Sequence, residues 1–165
     1  MSVLTKHNLL MQIAIDNQDI LHDPGVLTKY FRKTTGQIIS GLLKLEPGYS
    51  LINDIGGGFL NDNRADSIMD ESEITFHVIT PASESVPENH VEKIDACQAV
   101  AFQCVRRIYE LVDGSGPYKL IEFDLSKVSY DEMPIEVYGT AVGCMIRARA
   151  IFFDDNLNYN PAKWP

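Results

Sequence analysis

The stretch SVPENHVEKIDACQAVAFQCVRRIYELVD, residues 85–113, is the longest uninterrupted periodic segment of the chain. Its apolar side chains recur every three or four residues and so share one helical face: Val91, Ile94, Cys97, Ala101, Val105, Ile108, Tyr109 and Val112. Ser85 and Glu88 have the spacing of a capping box, and Pro87 falls in the first turn, where a missing N–H is tolerated. Gly114 stands where a left-handed residue commonly ends a helix. The pattern predicts one long amphipathic helix that packs on a sheet.

The composition limits the kinds of protein that this chain can be. The chain has 165 residues, of which 45% are hydrophobic, so we expect a single globular domain over 1–165. The net charge of −9 argues against duplex nucleic acid as a partner, because phosphate binding needs a basic surface. No stretch reaches the 18 or so apolar residues that a transmembrane helix needs, and the N-terminus does not resemble a signal peptide. We therefore expect a cytoplasmic protein with no membrane partner.

The three cysteines fit the same expectation. Cys97 and Cys104 are seven residues apart on the predicted helix, which separates them by about 10 Å, too far for a disulfide. With Cys144 the count is odd, and this favours a reducing compartment. We expect the two helical cysteines to be small apolar packing residues.

The N-terminal third predicts two helices. Residues 3–17 carry a broad apolar stripe, and His22-Asp23-Pro24-Gly25 predicts a turn. Residues 26–32 fit either a short strand or a helical turn. A second helix is predicted from Thr34 or Thr35 through 45, and Pro47-Gly48 ends it.

The remaining apolar runs predict strands at 49–52, 74–80, 118–125, 127–130 and 137–153, with a turn at 131–134. In the last strand one face is small and apolar, whereas the other includes Arg147 and Arg149 and is expected to be partly solvated or an interface. Gly139 and Gly143 indicate a bulge or a close backbone approach. Because strands joined by short turns are antiparallel, the fold class is α+β, with helices packed on one face of a mainly antiparallel sheet.

Residues 53–72 break the pattern and predict a long loop. They combine Gly56-Gly57-Gly58 with asparagines and acids, and such long aperiodic segments are usually functional or disordered. The alternative is a hairpin with an ordered tip, in which Phe59 and Leu60 return as a strand. The C-terminal tail, 154–165, is polar but carries Tyr159 and Trp164, which we expect to pack on the domain itself or on a neighbouring subunit.

Motifs for catalysis, cofactors or metals are not found in the sequence. The glycine run lacks the Lys-Ser/Thr pair of a P-loop and the glycine spacing of a dinucleotide loop. The acids Asp62, Asp66 and Asp70 do not match an EF-hand. The histidines are scattered, with His77 expected to be a packed or interface side chain, and no nucleophile motif occurs. We expect no catalytic, cofactor or metal site.

Several short patterns resemble those of small prophage proteins from tail-morphogenesis gene clusters. They are Asp19-Ile20-Leu21-His22, Lys29-Tyr30-Phe31-Arg32, Ile38-Ile39-Ser40-Gly41-Leu42, Asp95-Ala96-Cys97, Val128-Ser129-Tyr130-Asp131 leading to Tyr138-Gly139, and Tyr159-Asn160-Pro161 with Trp164. The order of elements is similar to that of tail-completion, or tail-terminator, proteins of long-tailed phages.

The resemblance implies a non-enzymatic virion subunit that forms homo-oligomeric rings and contacts other tail or neck proteins. It would be found in the host cytoplasm before assembly and in the virion afterwards. The candidate interface residues are Phe59, Leu60, Arg147, Arg149, Tyr159 and Trp164. The alternatives are a small adaptor or ligand-binding domain and a metal-dependent enzyme that uses the acidic loop.

Overall fold

The computed structural model describes residues 3–26, 28–32, 45–54, 58–62, 68–112, 117–118 and 120–153. Two single 3-10 turns, Pro87–Asn89 and Leu125–Lys127, accompany the helices and strands. The helices and strands follow one another along the chain as α1 Val3–Asp16, β1 Tyr30–Arg32, β2 Ser50–Asp54, β3 Gly58–Asp62, β4 Ile68–Pro81, α2 His90–Glu110, β5 Leu120–Phe123, β6 Ser129–Met133, α3 Ile135–Tyr138 and β7 Ala141–Phe153.

The strands form one mixed but mainly antiparallel sheet of seven strands. Its centre is the pair β4 and β7, which run antiparallel from Met69 opposite Phe153 to Pro81 opposite Ala141. The other edge of β4 is paired first with β2 and then with β3. The other edge of β7 is paired with β5 and β6, and β1 lies parallel to β2 at the sheet margin. The α+β fold class is confirmed.

The main core lies between this sheet and the helices α1 and α2. Alternate side chains of a strand point to the same face, and Ile74, Phe76 and Val78 of β4 all enter this core. Small residues of α2, such as Cys97 and Ala101, lie over them. Full burial of a side chain such as Phe76 contributes about 2–3 kcal/mol to folding, so this layer determines how the helix sits on the sheet.

Helix α2 begins differently from the prediction. A 3-10 turn at Pro87–Asn89 precedes it, which places Pro87 in the first turn as predicted. The capping box of Ser85 and Glu88 is wrong: Asn89 is the N-cap residue, and in the described part of the chain its side chain makes no capping hydrogen bond. The Ser85 hydroxyl instead lies 2.7 Å from the Ser83 hydroxyl.

The buried face of α2 is rotated from the predicted stripe. Val100 and Cys104 are buried, whereas Val91 and Tyr109 are exposed. At 100° per residue, Val91 and Tyr109 both lie about 80° from Ala101, the middle of the buried face. They therefore stand at its boundary, where apolar spacing alone does not distinguish core from surface.

Residues 53–72 contain strands where a loop was predicted. Strand β2 continues to Asp54, Phe59 and Leu60 lie on β3, and β4 begins at Ile68. The aperiodic loop is wrong for these residues, and Phe59 and Leu60 lie on a strand as the alternative predicted. That strand does not return along β2, however, because β2 and β3 run in the same direction along one edge of β4. Asp54 is opposite Thr75 and Gly58 is opposite Ser72 on β4, and residues 55–57 between β2 and β3 lie outside the described residues.

The other predictions are mixed in outcome. The N-terminal helix and the turn ending at Gly25, whose φ is +103°, are confirmed, and the ambiguous stretch 26–32 contains β1. The turn at 131–134 is wrong, since β6 runs to Met133. Residues 137–138 are helical rather than extended, because Pro134 precedes and left-handed Gly139 ends a single helical turn. The second predicted helix lies outside the described residues except for its last residue, Leu45, which is not helical, and the tail (154–165) lies outside them entirely.

Candidate functional site: the sheet face opposite the helices

The face of the sheet that points away from α1 and α2, here called the outer face, carries both predicted arginines. Arg147 and Arg149 lie on β7, on the side opposite the core residues Cys144, Ile146 and Ala148. Each arginine pairs diagonally with an acid on a neighbouring strand. Arg147 contacts the carboxylate of Asp131 on β6, and Arg149 Nη1 lies 3.4 Å from Glu71 Oε1 on β4.

These ion pairs are exposed and therefore weak. Exposed pairs contribute about 0.2–1 kcal/mol each, because water screens the charges and long side chains lose entropy. Glu73, the residue directly opposite Arg149, is also exposed, and its carboxylate accepts a hydrogen bond of 3.1 Å from Thr75. The exposed half of the outer face therefore carries alternating charges, here called the charge ladder: Arg147 and Arg149 on β7, Glu71 and Glu73 on β4, and Asp131 on β6. Because each ion pair is weak, these side chains can exchange partners at little cost in free energy.

The other half of the outer face is buried. Ile52, Ile79 and Ala141 form a small cluster there with the partly buried Phe31 and Tyr138. Helix α3 lies across the end of the sheet. Its Tyr138 packs on the outer face, whereas its Ile135 packs on the opposite face against Ile94 and Val142. Among the described residues, the outer face is therefore exposed at the end that carries the arginines.

A buried polar chain crosses the covered half. The hydroxyl of Tyr138 on α3 contacts Nδ1 of His77 on β4, and His77 Nε2 lies 3.6 Å from Asp54 Oδ2 on β2. Burial and, secondarily, the Asp54 charge raise the pKa of Tyr138, so its hydroxyl stays protonated and donates to Nδ1. The Nε2–H then faces Asp54.

This Asp–His–Tyr chain of contacts joins α3 to β4 and β2 and so anchors the short helix to the sheet. The prediction that His77 is a packed side chain is confirmed, since it is 2% exposed. Its partners are 23 and 61 residues away, so no local sequence signal indicates them.

A second polar cluster joins α1 to the margin of the sheet. The Tyr30 hydroxyl lies 3.0 Å from His7 Nδ1 and accepts a hydrogen bond of 2.9 Å from the Asn53 amide. Burial raises the pKa of Tyr30. Burial and the nearby Arg32 charge lower the pKa of His7. These groups fix the position of the first helix.

Lys29 has a structural role beside this cluster. Its Nζ donates to the backbone carbonyls of Glu46, at 2.9 Å, and Pro47. Its backbone N–H donates to His22 Nδ1 at 3.2 Å. The Lys29-Tyr30-Phe31-Arg32 pattern therefore secures the turn before β2.

The three cysteines are buried free thiols. Burial raises the pKa of Cys97 and of Cys104 to about 12 and that of Cys144 to about 11. All three are protonated at neutral pH, and a protonated thiol is a poor nucleophile. The interpretation of Cys97 and Cys104 as packing residues is confirmed.

Two open grooves lie beside α2. One, of about 690 Å³, is lined by polar side chains of α1 and α2, including Asp16, Asn17, Gln103 and Arg107. The other, of about 370 Å³, lies at the start of α2 and includes Tyr49, Thr80 and Lys93. Both lie at the margins of the helix, outside the packed layer between helix and sheet.

The described residues include no group of three or more His, Cys, Asp or Glu side chains placed to hold a metal ion. Of the acids considered for calcium, Asp62 lies on β3 and Asp70 on β4, and Asp66 lies outside the described residues. Within the same residues, no helix has the length and apolar character needed to cross a membrane.

The six predicted interface residues are only partly brought together. Phe59 and Leu60 lie on β3 opposite Glu71 and Asp70, next to the strand whose Glu71 pairs with Arg149. Arg147 and Arg149 are on the exposed half of the outer face. Tyr159 and Trp164 lie outside the described residues.

No protein-family model matches the chain, and no curated protein matches it significantly in sequence.

Proposed function

We propose that this chain is a structural subunit that acts by assembly, of the tail-completion or neck type found in long-tailed phages. It would form a homo-oligomeric ring and contact other tail or neck proteins. The proposal is supported by the sequence patterns quoted above and by the fold, since an antiparallel sheet with its main helices on one side is what the resemblance implies.

The observation that carries the proposal is the charge ladder on the exposed half of the outer face. Its arginines and acids are held on β4, β6 and β7, which the core behind them keeps rigid. Alternating fixed charges specify which neighbour binds and in what register, more than they supply affinity. The weak pairs Arg147–Asp131 and Arg149–Glu71 can be replaced by equivalent pairs between subunits.

The overall charge is consistent with this role. A net charge of −9 gives a ring subunit little affinity for DNA phosphates. DNA passing through the lumen of a tail would therefore slide rather than stick. In this proposal the paired strands β3 and β4, with Phe59 and Leu60 on β3, would reach a neighbouring subunit or the lumen.

The test is the mass of the assembled particle, measured by light scattering over a concentration series with and without tail-tube protein. We expect an oligomer under at least one condition. The double variant R147Q/R149Q should shift it toward smaller species, because neutral amides keep the side-chain bulk but remove the charges. Its unfolding midpoint should stay close to that of the wild type, since the pairs are exposed.

K127Q is a suitable control. Lys127 is also exposed and pairs with an acid, Asp124, at 3.5 Å, but it lies on the 3-10 turn after β5. The control should assemble like the wild type. A wild-type chain that stays monomeric even with tail-tube protein, or a double variant that assembles normally, would refute the proposal.

A further inference from the structure

Helix α2 presents a stripe of side chains on one flank, beside its buried face. The stripe consists of Val91, Asp95, Gln98, Phe102, Arg106 and Tyr109, all exposed except the half-buried Gln98, and is here called the α2 stripe. Successive members are three or four residues apart, and at 100° per residue all six fall within a sector of about 80°. This spacing is typical of a helix that packs against another helix.

The stripe exposes large apolar side chains. Val91 is 68% exposed, Phe102 42% and Tyr109 44%. Tyr130 of β6, itself 51% exposed, lies edge-on to Phe102 with ring centroids 5.3 Å apart. The Arg106 guanidinium lies over the Tyr109 ring, 5.8 Å from its centroid. Clustered aromatic and arginine side chains are the groups that most often dominate protein–protein contacts.

The order of residues along the stripe is self-complementary. The acid Asp95 lies before the middle of the helix and the base Arg106 after it. An antiparallel copy related by a twofold axis near residue 100 places Asp95 level with Arg106, since their distances from the axis, about 7.5 Å and 9 Å, nearly match at 1.5 Å per residue. The same axis places Val91 level with Tyr109, each about 13.5 Å away.

We propose that the α2 stripe is a twofold interface that binds a second copy of this chain, with the two α2 helices antiparallel. In such an interface each contact occurs twice. Two Asp95–Arg106 pairs flank the centre, where each Phe102 meets Gln98 of the other copy. Valine packs on tyrosine at both ends.

Charge complementarity favours a second copy of this chain as the partner that binds the α2 stripe. A chain of net charge −9 repels its copies in general, so close approach needs a surface on which the signs alternate. Asp95 and Arg106 stand in positions that a reversed copy of the stripe matches twice. Arg106 pairs within its own helix with Glu110 at 3.0 Å, and this exposed and therefore weak pair can be exchanged for one with Asp95 of the other copy. This interface is independent of the proposed tail function, because it uses the helix side of the molecule rather than the outer face.

Charge reversal provides the test. D95R sets two positive charges against each other at the contact with Arg106 of the other copy, and R106D sets two negative charges against each other at the contact with Asp95. Each single variant should raise the dimer dissociation constant at least about tenfold, because the repulsion occurs twice. The double variant D95R/R106D restores both attractions and should return the constant to within about threefold of the wild type.

Sedimentation equilibrium of the full chain measures these constants. F102Q, which removes the central aromatic ring, should also weaken the dimer, and R147Q/R149Q should leave this dimer unchanged. Unfolding in urea checks that each variant remains folded, as expected for exposed positions. A wild type that remains monomeric at the highest concentration studied overturns the proposal. That result would follow if the C-terminal segment 154–165 or another protein covers the stripe. A dimer that tolerates both single reversals also overturns it.

Discussion

Strand β4 approaches β7 closely at Gly143, and this contact predicts a large effect of one methyl group. A Cβ added there would lie 2.2 Å from the Val78 carbonyl oxygen and 2.9 Å from Ile79 Cγ2. An ordinary contact needs about 1 Å more space, and the nearest atom is backbone, which cannot rotate away. The two strands would have to separate locally.

G143A should therefore lower the free energy of unfolding by about 3 kcal/mol, the upper end of the range for overpacked positions. That is a large share of the roughly 5–15 kcal/mol that stabilises a typical domain. Urea unfolding followed by circular dichroism measures it, with the slope against denaturant expected to stay unchanged.

G139A is the matched control for G143A. Gly139 has a φ of +74°, and no described atom lies within 4 Å of an added Cβ. The control tests backbone strain without a steric clash and should cost about 1 kcal/mol. A loss below about 1 kcal/mol for G143A itself would refute the close approach of β4 and β7 at this position.

Three further outcomes follow from the buried polar groups and thiols. Y138F removes the hydroxyl that donates to His77 and should cost about 1–2 kcal/mol in urea unfolding, whereas Y130F, at an exposed hydroxyl, should be neutral. The lowered pKa of His7 means that the unfolded chain binds the proton more readily, so unfolding free energy should fall as pH drops below about 6.5. H7Q should reduce that fall between pH 7.5 and 5, and an identical fall in H7Q would contradict this assignment. A thiol reagent at pH 7.5 should react slowly with all three cysteines in the native chain and rapidly in urea, and fast native reaction would contradict their burial.

Local periodicity was sufficient to predict the main helices and strands. The helix over 90–110 and the strand β7 both carry long apolar repeats, and few other secondary structures fit repeats of that length. The limits of the buried face of α2 cannot be predicted from periodicity. Val91 and Tyr109 continue the apolar spacing and yet are exposed, because the sheet does not reach them. Here tertiary packing decides, and the helix pattern does not indicate where the sheet ends.

The errors at 53–72 and at 137–138 have different causes. In the first, glycines and acids obscure the strand alternation, and β3 is specified by pairing with β4 rather than by its own composition. In the second, a local signal was present: Pro134 before and Gly139 after a four-residue segment are typical of a short helical turn. The contacts of His77 with Asp54 and Tyr138 depend on three separate elements, so only the folded chain brings them together.

The two proposed interfaces use different parts of the molecule. Helix α2 packs on the inner face of the sheet through Cys97 and Ala101, and the α2 stripe lies on a flank of that helix, whereas Arg147 and Arg149 lie on the outer face. A copy bound to the stripe therefore leaves the charge ladder uncovered. Because closely packed cores resist deformation, binding at one surface should leave the geometry of the other unchanged. The chain can consequently pair through its helices and assemble laterally through its sheet at the same time.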